Sequence, residues 1–101
     1  MVNRLDLHEV LCDVLGSRNV YYQPPASVRM NYPAIVYSRN DIENVNADDD
    51  KYLQFHSYLV IVMDYNPDSL IVERVSKLPK CAFDRHYAAD NLNHDVFTLY
   101  Y

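Results

Sequence analysis

The residues best suited to metal binding lie in one short segment near the C-terminus. His86, Asp90, His94 and Asp95 supply imidazole and carboxylate groups, which transition metals accept as ligands. If the chain reverses near Leu92, the two histidines lie far apart along the hairpin, and no third ligand stands at a characteristic spacing. We therefore favour a structural interpretation, in which the two acids bond turn amides and the histidines face a neighbour.

A second candidate for ion binding is the acidic run Asp48-Asp49-Asp50. A calcium loop of the EF-hand type requires alternating oxygen ligands, a central glycine and a late glutamate, and the sequence around this run has none of these. We expect a solvated loop, or one that faces a partner.

The two cysteines, Cys12 and Cys81, could form a disulfide or provide a nucleophile. The first sixteen residues carry Arg4, Asp6 and Glu9, so they do not resemble a secretory signal. We therefore predict synthesis in a reducing cytoplasm and two structural thiols.

Enzymatic chemistry is not predicted. Gly16 is the single glycine of the 101 residues, which excludes a glycine-rich phosphate loop, a dinucleotide fingerprint and a nucleophile elbow. No serine stands in a nucleophile context, and no cofactor is expected.

The net charge of −5 argues against electrostatic binding to nucleic acid or to an anionic membrane. The ten tyrosines suit either a protein interface or ordinary strands.

The first element predicted is a helix with Asn3 as N-cap and Gly16 as the left-handed residue that ends it. Its apolar stripe has the spacing i, i+3, i+4, i+7 and i+8, namely Leu7, Val10, Leu11, Val14 and Leu15.

Three strand segments follow the helix: a short one at residues 19–22, one from Ala34 to about Ile42, and a long one at residues 51–64. In the long strand, Tyr58, Val60 and Val62 share one face, with Leu59, Ile61 and Met63 on the other. Because its length is about twice the usual strand, we expect its outer end to project with the strand from Ala34 as a hairpin arm tipped by the acidic loop.

A second helix is predicted to begin at Asn66, with Pro67 in its first turn, and to end before Pro79. Its buried stripe is Ile71, Val75 and Leu78. A closing hairpin over residues 83–101 follows, reversing at Asn91-Leu92-Asn93. Phe83, Arg85, Tyr87 and Ala89 would share one face of its first strand. On its second strand Asp95, Phe97, Leu99 and Tyr101 would alternate with His94, Val96, Thr98 and Tyr100. An apolar C-terminus of this kind is expected to lie inside a sheet or an interface.

These elements predict a single α+β domain over residues 1–101. Its order is α-β-β-β-α-β-β, and the expected architecture is one mostly antiparallel twisted sheet of four or five strands with both helices on one face. Part of the other face would remain open to water or to a partner.

The segment from Arg85 to Tyr101, RHYAADNLNHDVFTLYY, resembles the C-terminus of small tail-completion proteins of long-tailed phages. The segments YPAIVY from Tyr32, NPDS from Asn66 and LP at Leu78, with Ala47-Asp48, Tyr52 and Tyr58, match the same pattern. The chain is therefore similar to tail terminators, and the head–tail joining proteins of the neck are their structural relatives.

The resemblance implies a structural virion protein at the tail–neck junction that assembles as a homo-hexameric ring. Such a ring caps the last ring of the major tail protein, stops growth of the tube and docks the head connector. DNA would pass through the lumen without specific binding. The family implies no catalytic residue, no cofactor and no membrane contact.

Two alternatives remain open. One is a head-completion or stopper protein one ring higher in the neck, and the other is a monomeric adaptor or inhibitor that binds by sheet-edge pairing. The residues predicted to contact another subunit or the neighbouring tail and neck proteins are Asp48, Asp49, Asp50, Tyr52, Arg85, His86, Tyr100 and Tyr101.

Overall fold

The structure, a computed structural model, describes residues 4–46 and 52–101 of the chain. Two helices and five strands follow one another in the predicted order. They are α1 (Arg4–Leu15), β1 (Val20–Tyr22), β2 (Ala34–Asn46), β3 (Tyr52–Asp64), α2 (Leu70–Ser76), β4 (Cys81–Ala89) and β5 (Leu92–Tyr100).

The five strands form one sheet in the order β1-β2-β3-β5-β4. β1 runs parallel to β2, and the three remaining neighbouring pairs are antiparallel. The prediction of a mostly antiparallel α+β sheet is confirmed. β5, the last strand in sequence, lies between β3 and β4, so β1 and β4 occupy the two edges.

α1 forms because one side of it is apolar at helical spacing. Leu7, Leu11 and Leu15 are buried, as is Cys12 beside them. The helix ends at Gly16, whose φ of 84° lies in the left-handed region and whose N–H donates to the Cys12 carbonyl at 2.8 Å. The predicted N-cap, Asn3, falls outside the described residues.

α2 begins three residues later than predicted. Its N-cap is Ser69, whose Oγ accepts the Ile71 N–H at 3.2 Å, whereas Asn66 accepts the Asp68 N–H at 3.0 Å and forms a turn before the helix. The side chain of Asn66 is therefore used by the turn and cannot cap the helix. The predicted inner stripe is confirmed: Ile71 and Val75 are buried and Leu78 packs against the core.

Both helices pack on the same face of the sheet. The central strands supply alternate residues to this core: Ile35 and Tyr37 from β2, Tyr58, Val60 and Val62 from β3, and Phe97 and Leu99 from β5. Tyr37, Val60, Val62 and Phe97 are fully buried. The predicted division of β3 into two faces is thus confirmed from Tyr58 onward.

The closing hairpin reverses at Asp90 and Asn91, one residue earlier than predicted. Both residues have positive φ, 55° and 64°, as a two-residue hairpin turn requires. Asp and Asn tolerate this conformation, whereas Leu92 begins β5 opposite Ala89 and is buried.

The predicted alternation along β4 is wrong at one point, because a bulge at Asp84 adds a residue to the strand. Phe83 lies opposite Phe97, but Arg85 lies opposite Val96. Phe83 therefore lies on the helix face, while Arg85 and Tyr87 lie on the open face, since a bulge shifts the alternation by one residue.

β2 and β3 extend beyond the rest of the sheet. They pair as far as Asn46 and Tyr52, whereas β1 pairs with β2 only up to Tyr37 and β5 pairs with β3 only from Ser57. Residues 42–46 and 52–56 therefore form a two-stranded ribbon, which we call the arm. The predicted projecting hairpin is confirmed in its backbone, with β2 reaching Asn46 instead of Ile42.

Candidate subunit interface

The edge strand β4 is exposed along nearly its whole length. Eight of its nine residues are exposed, and Cys81 alone is half-buried. Phe83 is 57% exposed on the helix face and Tyr87 is 41% exposed on the open face. α2 contacts β4 and Cys81 packs against the core, but the rest of the strand is exposed, so two aromatic rings remain in contact with water on opposite faces.

The hairpin turn shows which backbone groups of β4 point away from the sheet. A turn of two residues has its backbone hydrogen bond between the flanking residues, here Ala89 and Leu92. Hydrogen-bonded and non-bonded pairs alternate along an antiparallel ladder, so Tyr87 also bonds across to β5. The N–H and C=O groups of His86 and Ala88 must therefore point outward, where they can receive another strand.

The side chains of β4 are held by local contacts. Arg85 donates to Asp84 at 3.1 Å in an ion pair whose side chains are both largely exposed. His86 lies 3.2 Å from the amide oxygen of Asn93, and Tyr87 stacks on His94 with ring centroids 4.6 Å apart.

Across from His86, burial raises the pKa of the Asp95 carboxyl, an effect that His86 and His94 partly oppose. His86 and His94 lie on opposite faces of the sheet. Within the described residues, no group of three or more histidine, cysteine or acidic side chains could hold a metal ion.

The predicted contact residues do not form one site. Arg85 and His86 lie side by side on β4, but on opposite faces of it. Tyr100 is half-buried at the far end of β5, and Tyr101 packs against the core with its N–H donating to the His56 carbonyl at 3.0 Å.

The remaining predicted contacts belong to the arm or its tip. Tyr52 is the first residue of β3, and Asp48, Asp49 and Asp50 lie outside the described residues. The predicted contact residues that the structure describes thus lie in three places. Arg85 and His86 are on the edge strand, Tyr52 is in the arm, and Tyr100 and Tyr101 are at the C-terminal end of β5.

A cluster of ring side chains on the helix face was not predicted. The hydroxyl of the fully buried Tyr37 accepts a hydrogen bond from Arg4 at 3.2 Å and lies 2.8 Å from Nδ1 of His8. The Arg4 guanidinium also stands 4.3 Å above the ring of Tyr22, and Tyr22 packs on Tyr37 at 4.9 Å between centroids.

Burial, with the nearby charges of Arg18 and Arg4, lowers the pKa of His8. Burial also raises the pKa of the Tyr37 hydroxyl.

The spacing of Arg4 and His8, one helical turn apart, was the feature of the sequence that could have indicated this cluster. Its tyrosines come together only through the register that pairs Tyr22 with Tyr37. Because these contacts join α1 to Tyr22 of β1 and Tyr37 of β2, the cluster is well suited to fixing the helix against both strands.

A shallow cavity of about 280 Å³ lies on the open face, between the connector that precedes β2 and the hairpin turn. Its walls are of mixed polarity and come from Met30, Tyr32, Met63, Tyr65, Ala89, Asp90, Leu92 and His94. Cys12 and Cys81 lie elsewhere as free thiols, and burial raises the pKa of each. A raised pKa keeps a thiol protonated and poorly nucleophilic.

The scan of protein-family models and the search of curated proteins both found no match for this chain. Among the helices described, neither is long and apolar enough to cross a membrane.

Proposed function

We propose that this chain is a structural ring protein of a phage tail–neck junction, and specifically a tail terminator. In this role, copies of the chain form a ring, which the resemblance implies is hexameric. The ring caps the tube of major tail protein, stops its growth and presents a docking face to the head connector. The protein would reside in the virion after synthesis in the host cytoplasm.

The observation that carries the proposal is that the sheet is incomplete in an isolated chain. β4 exposes outward backbone groups and two aromatic rings, and the arm is a ribbon of only two strands. Long exposed edge strands favour pairing with another chain, and most monomeric proteins protect them. A domain with two incomplete regions of this kind is suited to assembly with other copies.

The positions of these two regions support assembly into a ring. β4 forms one edge of the sheet, while the arm extends from β2 and β3, on the other side of β5. Contact between different surfaces of identical copies is heterologous, and it produces a closed ring when the rotation between neighbours closes. The net charge of −5 supports a lumen that DNA crosses without being held.

The proposal is tested in a phage that encodes this chain, by deleting its gene and imaging the particles. Loss of a terminator gives tail tubes of uncontrolled length, because nothing stops polymerisation. Normal tails beside heads that leak DNA would overturn the terminator assignment in favour of the stopper.

A second measurement tests the ring in isolation. Native mass spectrometry of the purified chain across a concentration series is expected to show a closed oligomer of about six copies. A chain that stays monomeric both at high concentration and in particles would contradict the ring and favour the monomeric adaptor.

A further inference from the structure

We propose that β4 of one copy adds as a third strand to the outer edge of β2 in the arm of the next copy. This inference rests on the proposed ring and identifies the surfaces that would join its subunits. Each copy would then donate an edge strand to one neighbour and receive one from the other.

The arm is the acceptor because two strands alone are a weak structure. An isolated two-stranded hairpin is marginally stable in water, and a third strand or a helix is normally needed. Residues 42–46 and 52–56 pair with each other beyond the ends of β1 and β5. Within the described part of the chain, no further strand pairs with them.

Of the two edges of the arm, that of β2 is the longer one available. β1 covers β2 only at Ile35–Tyr37, and the side chain of Gln23 accepts the Arg39 N–H at 3.2 Å. Beyond this point β2 has a bulge between Arg39 and Asp41, and its edge then continues regularly from Asp41 to Asn46. On β3, by contrast, the His56 carbonyl already accepts the N–H of Tyr101 at 3.0 Å. An added strand along β2 would lie in line with β1.

β4 is the donor because its length, backbone and side chains all suit pairing. Beyond the bulge at Asp84, Arg85–Ala89 form a regular run of five residues, which can pair with most of the edge from Asp41 to Asn46. His86 and Ala88 direct their N–H and C=O groups outward, as argued above. Phe83 and Tyr87, exposed on opposite faces, would each be flanked by the side chains of an added strand.

Pairing of β4 with β4 of another copy is the main rival arrangement. It would satisfy the two edge strands, but it would leave both arms two-stranded and would produce only a dimer. Pairing of β4 with β2 completes both regions in every copy, and it is heterologous, as a ring requires.

The first test compares Ala88→Pro with Ala88→Thr. Proline at residue 88 removes an outward N–H without removing a hydrogen bond to β5, and proline is tolerated on edge strands. Threonine is the matched control because it keeps the N–H and favours strands. We expect Ala88→Pro to weaken association about tenfold per interface, the cost of one lost hydrogen bond, and Ala88→Thr to leave it unchanged. Equal association of the two variants would overturn the proposal.

The second test remains decisive if Ala88→Pro fails to fold. A photo-crosslinking benzoylphenylalanine replaces His86, and copies labelled with ¹⁵N are mixed with unlabelled copies, so that crosslinks between chains can be recognised by mass. We expect these crosslinks to reach residues 38–46 of the other copy. Crosslinks to β4 of the other copy, or to any other segment, would overturn the pairing.

The proposed ring and the proposed strand pairing are contradicted by different results. Rings that crosslink elsewhere leave the proposed function standing and reject this strand pairing. A chain that forms no ring in solution or in particles, and gives no crosslink between copies, rejects both.

Discussion

The central strands and the edge strand of the same sheet differ sharply in their contact with water. Phe97, in the middle of β5, is fully buried beneath the helices, whereas Phe83, directly opposite it on β4, is 57% exposed. Their rings touch in an edge-to-face arrangement with centroids 5.5 Å apart. The comparison shows that this chain completes its own core over β2, β3 and β5 but leaves all of β4 after Cys81 exposed.

Removal of residues 99–101 should have the largest effect, because it removes a central part of the sheet. Leu99 is buried between Tyr58 and Cys81, and Tyr101 packs against the core. Losing a buried leucine alone costs about 2–5 kcal/mol, against a total stability of about 5–15 kcal/mol. We expect loss of cooperative urea unfolding, and of the ring with it. A truncated chain that unfolds at the urea midpoint of the full chain would contradict this.

The pair Phe97→Ala and Phe83→Ala tests the comparison directly. Phe97→Ala leaves a cavity in the core and should lower the free energy of unfolding by about 3–5 kcal/mol. Phe83→Ala removes a largely exposed ring and should cost about 1 kcal/mol or less in the isolated chain. Urea denaturation of the monomer measures both. Equal losses would show that β4 is as well covered as β5.

The start of α2 is tested by a second matched pair. Ser69→Ala removes the hydroxyl that caps the helix and should cost about 1 kcal/mol in urea denaturation. Asn66→Ala affects only the preceding turn and should cost less. The reverse order would place the cap at Asn66, as the sequence had suggested.

The stability of the helix-covered region should depend on pH through His8. The pKa of His8 is lower in the folded chain than its ordinary value of 6.5, so the unfolded chain binds the proton more readily. The contribution of neutral His8 to the free energy of unfolding is fully present above pH 6.5. It is lost progressively as the pH falls from 6.5 toward the lower pKa that His8 has in the folded chain. A protonated Nδ1 can only donate to the Tyr37 hydroxyl, and the imidazolium adds a positive charge near Arg4.

His8→Gln is the matched variant, because its amide can still accept a hydrogen bond but does not titrate near pH 6. Its urea midpoint should change less than that of the parent chain between pH 7.5 and 5.5, and the difference should be smaller than the Phe97→Ala loss. An identical pH dependence in both chains would rule out His8 as its source.

Features that depend on local pattern were predictable from the sequence. The stripe of α1, its end at Gly16 and the two faces of β3 all follow from spacing and residue type, which act over a few neighbours. The start of α2 was not predictable in this way. Asn66 and Ser69 are both good N-caps, and which of them caps the helix depends on the turn between them.

Features that depend on pairing between distant segments were harder to predict. The bulge at Asp84 is a property of how β4 meets β5, and it changes the face on which Phe83 lies. The contact of Arg4 and His8 with Tyr37 likewise requires α1 to lie against β2. For the candidate interface, the sequence indicated Arg85 and His86 but not the exposure of the whole strand that carries them.

The position of β5 between β3 and β4 has a consequence for biosynthesis. Residues 65–91 separate β3 from β5 along the chain. At about 5–20 residues per second, a ribosome needs roughly 2–7 s after finishing β3 to finish β5. During that interval the flank of β3 is open to strands of other nascent chains translated from the same messenger. Correct assembly therefore depends on each polypeptide inserting its own last strand before a neighbouring one can do so.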